Sequence, residues 1–225
     1  MFYGRRKGPS LSAPQKALLE NNLPPLKIEL PRQGAGKLHL ENLFAKDLPE
    51  VWLEIGFGKG EHLAWQAQHY GDVGFLGAEP YVNGVVGLLA RIDEASLSNI
   101  RIYPDEASAL LDALPPGSLG RVFLLHPDPW PKKRHEKRRF LSHANLDRLS
   151  AAMKPGAELR IGSDHQGYLT WARKQLLTRA DFQRCSKLGP LEAAPGGMAD
   201  WPETRYEAKA ARQGHAVTKL TYLRL

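Results

Sequence analysis

Cysteine is almost absent: Cys185 is the one thiol in 225 residues. An intrachain disulfide is therefore excluded, and a reducing compartment fits. Long apolar runs are missing as well. No stretch approaches the ~20 residues that a membrane span needs. The first residues, MFYGRRKGPS, carry cations but no apolar core behind them, so a secretory leader is not expected. The spacing of His126, His135, His143 and Cys185 matches no zinc-ligand pattern. Nor does Cys185 stand near any motif that would make it a nucleophile. These absences lead us to expect a soluble, cytoplasmic protein that works without metal.

What is present is ordinary in amount and uneven in placement. Hydrophobic residues make up 42% and charged residues 24%, which is usual for a globular chain. The length suits one domain. The net charge of +7 is local. Arg5, Arg6 and Lys7 carry +3. Six cations and Glu136 between Lys132 and Arg139 carry a net +5, so the rest of the chain is nearly neutral. Localised basicity without an apolar face is the footprint of a nucleic-acid site rather than of a membrane anchor.

Residues 1–45 read as a polar, basic and partly flexible arm with short ordered pieces, in which Pro9, Pro14, Pro24, Pro25 and Pro31 interrupt any long element. Residues 46–225 read as the folded domain. Apolar runs at Val51–Ile55, Val73–Ala78, Ile100–Tyr103, Val122–Leu125 and Leu159–Gly162 are expected strands. Between them, Val82, Val85, Val86 and Leu89 show helical spacing, as do Leu146, Leu149 and Met153. Further helices are expected at Ala107–Leu114 and Leu169–Leu177. Alternating strands and helices predict an α/β fold with a mostly parallel sheet. Segments near Phe182–Lys187 and Val217–Leu225 are expected to pair antiparallel at the sheet edge. No internal repeat is present.

The strongest local signal is LEIGFGKG, Leu53–Gly60, after the first strand and before a helix. Glycine accepts positive φ without a clash, so Gly56, Gly58 and Gly60 permit a sharp turn and close approach of a ligand. A dinucleotide fingerprint fails because Glu61 stands at its last position. That argues against a nicotinamide-dependent oxidoreductase. No G-K-[ST] follows, so a triphosphate loop is excluded too. The spacing G-x-G-x-G instead suits S-adenosylmethionine (SAM). Glu79, at the end of the second strand, is placed to accept two ribose hydroxyls. Glu54 suits the cationic amino group of a methionine moiety. Asp105 is placed either to accept from the adenine amino group or to cap the helix after it.

The fourth strand runs into HPDPWPKKRHEKRR, His126–Arg139. Pro127 and Pro129 flank Asp128, and Pro131 stiffens the segment further. A carboxylate and the indole of Trp130 are thus held on a rigid turn at a strand end. Trp130 is placed to meet a base or cofactor, or to pack in the core. The cations that follow precede a helix whose apolar repeat starts near Phe140. There they oppose the helix dipole, which favours an anionic partner.

Together, LEIGFGKG, GAEP (Gly77–Pro80), HPDPWPKKRHEKRR, SDH (Ser163–His165) and TRYE (Thr204–Glu207) resemble the bacterial tRNA (guanine-N7)-methyltransferases. The resemblance runs from about Leu53 to the C-terminus. It implies a class I SAM-dependent methyltransferase (Rossmann-like) fold, with a seven-stranded sheet and an antiparallel C-terminal strand. It implies methyl transfer from SAM to N7 of guanosine 46 in the tRNA variable loop. It assigns Glu54, Glu79, Asp105 and Asp128 to SAM, with Asp128 also catalytic. Lys132, Asp164, Thr204 and Glu207 fall at substrate positions. Arg134, His135, Lys137, Arg138 and Arg139 fall in the RNA-contacting segment, where Glu136 departs from an all-basic pattern. A monomer or weak homodimer is expected. Two rivals stay in view. An amino-methyltransferase would carry a D/N-P-P-Y/F turn where this chain has Asp-Pro-Trp-Pro. An RNA-binding protein without activity would not need Glu54, Glu79 and Asp128.

Overall fold

Apolar runs without alternation become strands covered on both faces. The computed structural model describes residues 4–32, 34–46, 48–185, 212, 214 and 216–225. After a first helix, α1 (Ala13–Asn22), the chain alternates. It forms β1 (Glu50–Ile55), α2 (Glu61–His69), β2 (Val73–Ala78), α3 (Val82–Ala95), β3 (Ile100–Tyr103), α4 (Ala107–Ala113) and β4 (Leu119–Leu125). Next come α5 (His143–Ala152), β5 (Met153–Ser163), α6 (Gln166–Leu177), β6 (Phe182–Arg184) and β7 (Thr218–Arg224). The described strands form one seven-stranded sheet in the order β3-β2-β1-β4-β5-β7-β6. Strands β1 to β5 pair parallel. Strand β7 is antiparallel to both its neighbours, β5 and β6. The expected antiparallel edge is therefore present, with β7 inserted between β5 and β6. Strand order reverses between β1 and β4, and ligands of such sheets bind outside the carboxyl ends at that switch point.

Each face of the sheet carries its own core. On one lie Leu53, Leu76, Leu110, Leu146, Leu159 and Ile161, all buried. On the other lie Trp52, Phe75, Leu88, Leu89 and Phe123. There Trp52 meets Phe75 edge-on at 5.5 Å, and the Arg121 guanidinium lies 4.0 Å over its ring.

The arm is more ordered than its prolines suggest. Helix α1 has a capping box: Ser12 accepts from the Gln15 amide, and Gln15 returns a bond to the Ser12 amide. Pro14 falls in its first turn, where a missing N–H costs nothing. The helix packs beside α3, with Asn22 bonded to Asp93 at 3.3 Å. Beyond it, Ile28 donates to Ile102 at 2.8 Å and Leu38 to Ala113 at 2.8 Å. Both side chains are buried in the core.

Boundaries differ from expectation: β4 and β5 begin earlier, at Leu119 and Met153, and the region between them is divided differently. The basic run is a 3-10 helix of its own, Lys133–Arg138. Helix α5 begins only at His143, because Ser142 caps it by accepting from the Asn145 amide. Met153, expected as the last residue of that helical repeat, opens β5 instead. Segment 186–187, expected to extend β6, lies outside the described residues.

Candidate active site

The turn after β1 is built as its glycines require: φ is +70 at Gly56, +57 at Gly58 and +73 at Gly60. Where a Cβ would stand on Gly56 there is open space for 4 Å. Glu79, at the end of β2, closes the turn from the side. One of its oxygens accepts from the Gly58 amide at 2.8 Å and the other from the Tyr81 amide at 2.9 Å. Burial pushes the Glu79 carboxyl above its ordinary value; the two amide bonds oppose the shift, and the charges of Asp128 and Glu54 add to it. The three acids thus share one electrostatic neighbourhood.

Glu54 is 3% exposed and is not among the residues that wall the cavity. Its Oε2 lies 2.7 Å from Nδ1 of His62, on α2, and Gln66 Nε2 lies 3.2 Å from His62 Nε2. A neutral ring with its proton on Nδ1 satisfies both contacts, donating to Glu54 and accepting from Gln66. Buried carboxylates need such partners. The arrangement commits one Glu54 oxygen to His62.

That cavity, of about 670 Å³, opens outside the ends of β1, β2 and β4. Its size is that of small-molecule sites. Ile55, Ala78 and Leu124 supply an apolar floor, while Glu79, Asp128 and Trp130 supply polar and aromatic groups. The N-terminal segment lies over one end. Gly4 and Arg5 line the cavity, Val82 donates to the Arg6 carbonyl at 3.0 Å, and Gly8 donates to Asn83 at 2.9 Å. Arg6 reaches Asp105 at 2.8 Å and Glu106 at 3.4 Å. Asp105 also accepts from the Glu106 amide next to it. Helix α4 has no side-chain cap bond at its N-terminus, so Asp105 does not cap it.

After β4 the chain turns through His126–Trp130. His126 has φ +47 and Trp130 has φ +40, both uncommon for residues with a Cβ. Asp128 is exposed between them, at the cavity wall. The His126 amide donates to the Gly162 carbonyl at 2.7 Å, tying the turn to β5. Asp164 follows β5 directly, so Asp128 and Asp164 emerge from the ends of neighbouring strands. Trp130 lines the cavity rather than the core. The Arg138 guanidinium lies 4.8 Å over its ring, and the His135 ring stands edge-on to it at 5.8 Å.

Lys132, Lys133, Arg134 and Lys137 are exposed. Arg139 breaks the pattern at 5% exposure, although its place in the basic run predicts an RNA contact. Its Nε donates to the Pro129 carbonyl at 2.8 Å and its Nη2 to the Trp130 carbonyl at 3.1 Å. Arg139 also lines the cavity, so its guanidinium is committed to the turn beside the site rather than set out on the surface. Thr204 and Glu207 lie outside the described residues.

The chain matches a family model described as "Putative methyltransferase" over residues 49–220. It is 43% identical to a tRNA (guanine-N(7)-)-methyltransferase of Chelativorans sp. (strain BNC1), covering 100% of this chain and 95% of that one. It is 44% identical to the protein of the same name from Agrobacterium fabrum, covering 99% and 94%. The chain belongs to the tRNA (guanine-N(7)-)-methyltransferase family. Among solved structures, the 16S rRNA methyltransferase KamB superposes with a TM-score of 0.54 at 16% identity, over 79% of this chain and 89% of that one, which supports the fold.

Two side chains of this family member act at the site without a motif to announce them: His62 beside Glu54 and Arg6 on Asp105. Gly84 is a third such residue. Within α3 it reads as a helix weakness, yet a Cβ there would stand 2.3 Å from the Gly58 carbonyl oxygen. Helix α3 rests directly on the glycine turn. Helix propensity alone makes Gly84→Ala stabilising by about 1 kcal/mol. The backbone clash reverses that sign. We expect Gly84→Ala to lower both the melting temperature and SAM affinity, the latter about tenfold or more by calorimetry. A higher melting temperature with unchanged affinity would contradict the close approach.

Proposed function

We infer that the protein transfers a methyl group from S-adenosylmethionine to N7 of guanosine 46 in the tRNA variable loop, giving 7-methylguanosine. One juxtaposition carries this reading. The Gly56–Gly60 turn with Glu79 and the Asp128 turn with its adjoining cations border the same cavity. The residues fit the cofactor. The open space above Gly56 admits a ligand close to the backbone, and the acids suit a cationic ligand with ribose hydroxyls. Glu79 would take the ribose, Asp105 the adenine amino group, and the backbone of Gly56, Gly58 and Gly60 the methionine end. Glu54 would act beside the turn, and Asp128 would face the reacting centre. When bound, S-adenosylmethionine supplies an electrophilic methyl group on a sulfonium.

Guanine N7 already bears a free lone pair, so no residue need act as a base to uncover it, and no metal is required. The chain's task is to hold the guanine in line and to stabilise the positive charge its ring acquires. Asp128 and Asp164 would do so, and either can also accept from guanine N1–H and the exocyclic amine, which adenine cannot match. Lys132 would contact phosphate or a base edge. Thr204 and Glu207 would contact the substrate from the segment after residue 185. The outward cations would supply affinity independent of sequence. The same reading puts the enzyme in the cytoplasm with its tRNA, as a monomer or weak homodimer.

His135 adds a pH dependence. Its burial, and then the charges of Arg138, Arg134, Lys132 and Lys137, hold its imidazole below the ordinary value. It is therefore neutral at pH 7. A bound polyanion opposes those cations and raises that value in the complex, so protonation strengthens binding below it and the gain is lost as pH rises. We expect tRNA affinity to rise about two- to fivefold from pH 7.5 to pH 6. In His135→Ala that rise should disappear when binding is measured by filter retention.

The function itself is tested by methyl transfer from labelled SAM to an unmodified tRNA transcript, with the product mapped by cleavage specific for 7-methylguanosine. Label at the variable-loop guanosine is the expected result. Bound SAM without methylation of that base would point to another RNA or another base. Loss of SAM binding altogether would move the function to RNA binding.

A further inference from the structure

The turn that carries Asp128 is under strain at both ends. Neither His126 nor Trp130 is glycine, yet both hold positive φ, and a conformation of this kind costs about 1–3 kcal/mol per residue unless the surroundings enforce it. Prolines at 127, 129 and 131 restrict the turn but provide no N–H to anchor it. The His126 amide anchors the entry through Gly162. The exit is anchored by Arg139. Its guanidinium forks onto two successive carbonyls, those of Pro129 and Trp130, at 2.8 and 3.1 Å. Its Nη1 faces Glu136 at 3.6 Å, and its plane lies 5.0 Å from the Trp171 ring centroid on α6. Trp171 in turn packs against the fully buried Tyr168 ring at 5.7 Å. A buried cation needs full pairing, and here carbonyls, a carboxylate and an aromatic face provide it.

Six cations lie close together in the sequence, and this one is buried. We propose that Arg139 is a positioning residue: from inside the basic run it locks the His126–Trp130 turn, and with it Asp128, instead of contacting tRNA phosphate. Planar forked donation is what distinguishes arginine from lysine here. Lysine keeps the charge but presents a single ammonium, so it cannot hold two carbonyls in one plane.

The proposal builds on the functional reading for its kinetic part alone. The test therefore pairs kinetics with a readout that needs no activity. Hydrogen exchange at the His126 and His135 amides, which are bonded to the Gly162 and Lys132 carbonyls on either side of the turn, is measured in the full-length wild type, in Arg139→Lys and in Lys137→Ala. We expect exchange at these amides to quicken at least tenfold in Arg139→Lys and to stay within twofold in Lys137→Ala. In the methyl-transfer assay, kcat of Arg139→Lys should fall about ten- to a hundredfold, with tRNA affinity and its salt slope within twofold of wild type. Unchanged exchange would overturn the proposal. So would unchanged kcat with a salt slope reduced by about one unit, the mark of a phosphate contact. A wild type without methyl transfer would defeat the functional reading and leave the exchange result to decide the role of Arg139. Should Arg139→Lys not fold, Trp171→Leu probes the same anchor by removing the ring beneath the guanidinium, with the same expected changes and the same overturning results.

Discussion

Asp128→Asn is expected to lower methyl transfer by about 10²–10³-fold, the usual cost of removing one preorganised electrostatic contact to a developing charge. The substitution keeps the size and planarity of the side chain and removes only its charge. Asp128 is exposed at the cavity wall, on a turn held by prolines on either side and by Gly162 and Arg139 at its ends. Its geometry therefore survives the change. The guanine ring gains positive charge as N7 becomes methylated, so a neutral amide loses stabilisation that the ground state never had. That loss falls on kcat. Single-turnover kinetics at saturating SAM and tRNA measure it. The tRNA salt slope should not move, because Asp128 faces the cavity. Turnover within threefold of wild type would remove Asp128 from the reaction. An independent sign is available in Glu79, whose carboxyl is raised in part by the charge of Asp128. In Asp128→Asn it should titrate lower.

The second large effect is expected from Lys133, Arg134 and Lys137 changed together to Ala. All three are exposed, and with Lys132 they form the outward side of the 3-10 helix beside the cavity. Each phosphate neutralised releases counterions, so the plot of log affinity against log salt loses about 0.7–0.9 of slope per contact removed. Three contacts amount to a slope change of about 2–3. At moderate salt the affinity should fall about 10²–10³-fold. Turnover at saturating tRNA should be nearly preserved, since none of the three meets the reacting atoms in this reading. Titrations between 50 and 200 mM salt decide the matter. An unchanged slope would place the RNA elsewhere. The contrast with Arg139→Lys is sharp: loss of affinity without loss of kcat for the outward cations, and the reverse for the inward one.

Much of the architecture was legible in the chain itself. Strands β1, β2 and β4 are largely apolar runs, as strands buried on both faces must be, whereas the edge strand β3 alternates and β5 carries Lys154, Glu158 and Arg160. The glycines at 56, 58 and 60 announced a turn needing positive φ, and φ is positive at all three. The basic run and the proline-flanked Asp128 stand next to each other in sequence, so their adjacency needed no folding to be seen. Helix α1 was missed, although Ser12 and Gln15 mark its start. Its prolines obscured it, because a proline in the first turn looks the same in sequence as one that breaks a helix.

Other features depend on what comes close across the fold. Composition marked Arg139 as one cation among six, and only packing against Trp171 and the turn carbonyls made it structural. Glu54 carried a ligand's chemistry in sequence, but His62, the second residue of α2, meets it at 2.7 Å. Gly84 is an ordinary helical glycine by local pattern, and only the Gly58 carbonyl packed against it makes it obligatory. Arg6 and Asp105 are separated by most of the parallel half of the sheet and meet at 2.8 Å. Local pattern records the period of an element and the φ a residue tolerates, because both are properties of a few consecutive residues. Which charge is buried, which carboxylate is free to face a ligand and which glycine is obligatory depend on distances between segments far apart in the chain. Those distances exist only once the sheet has brought the ends of β1, β2 and β4 together around one cavity.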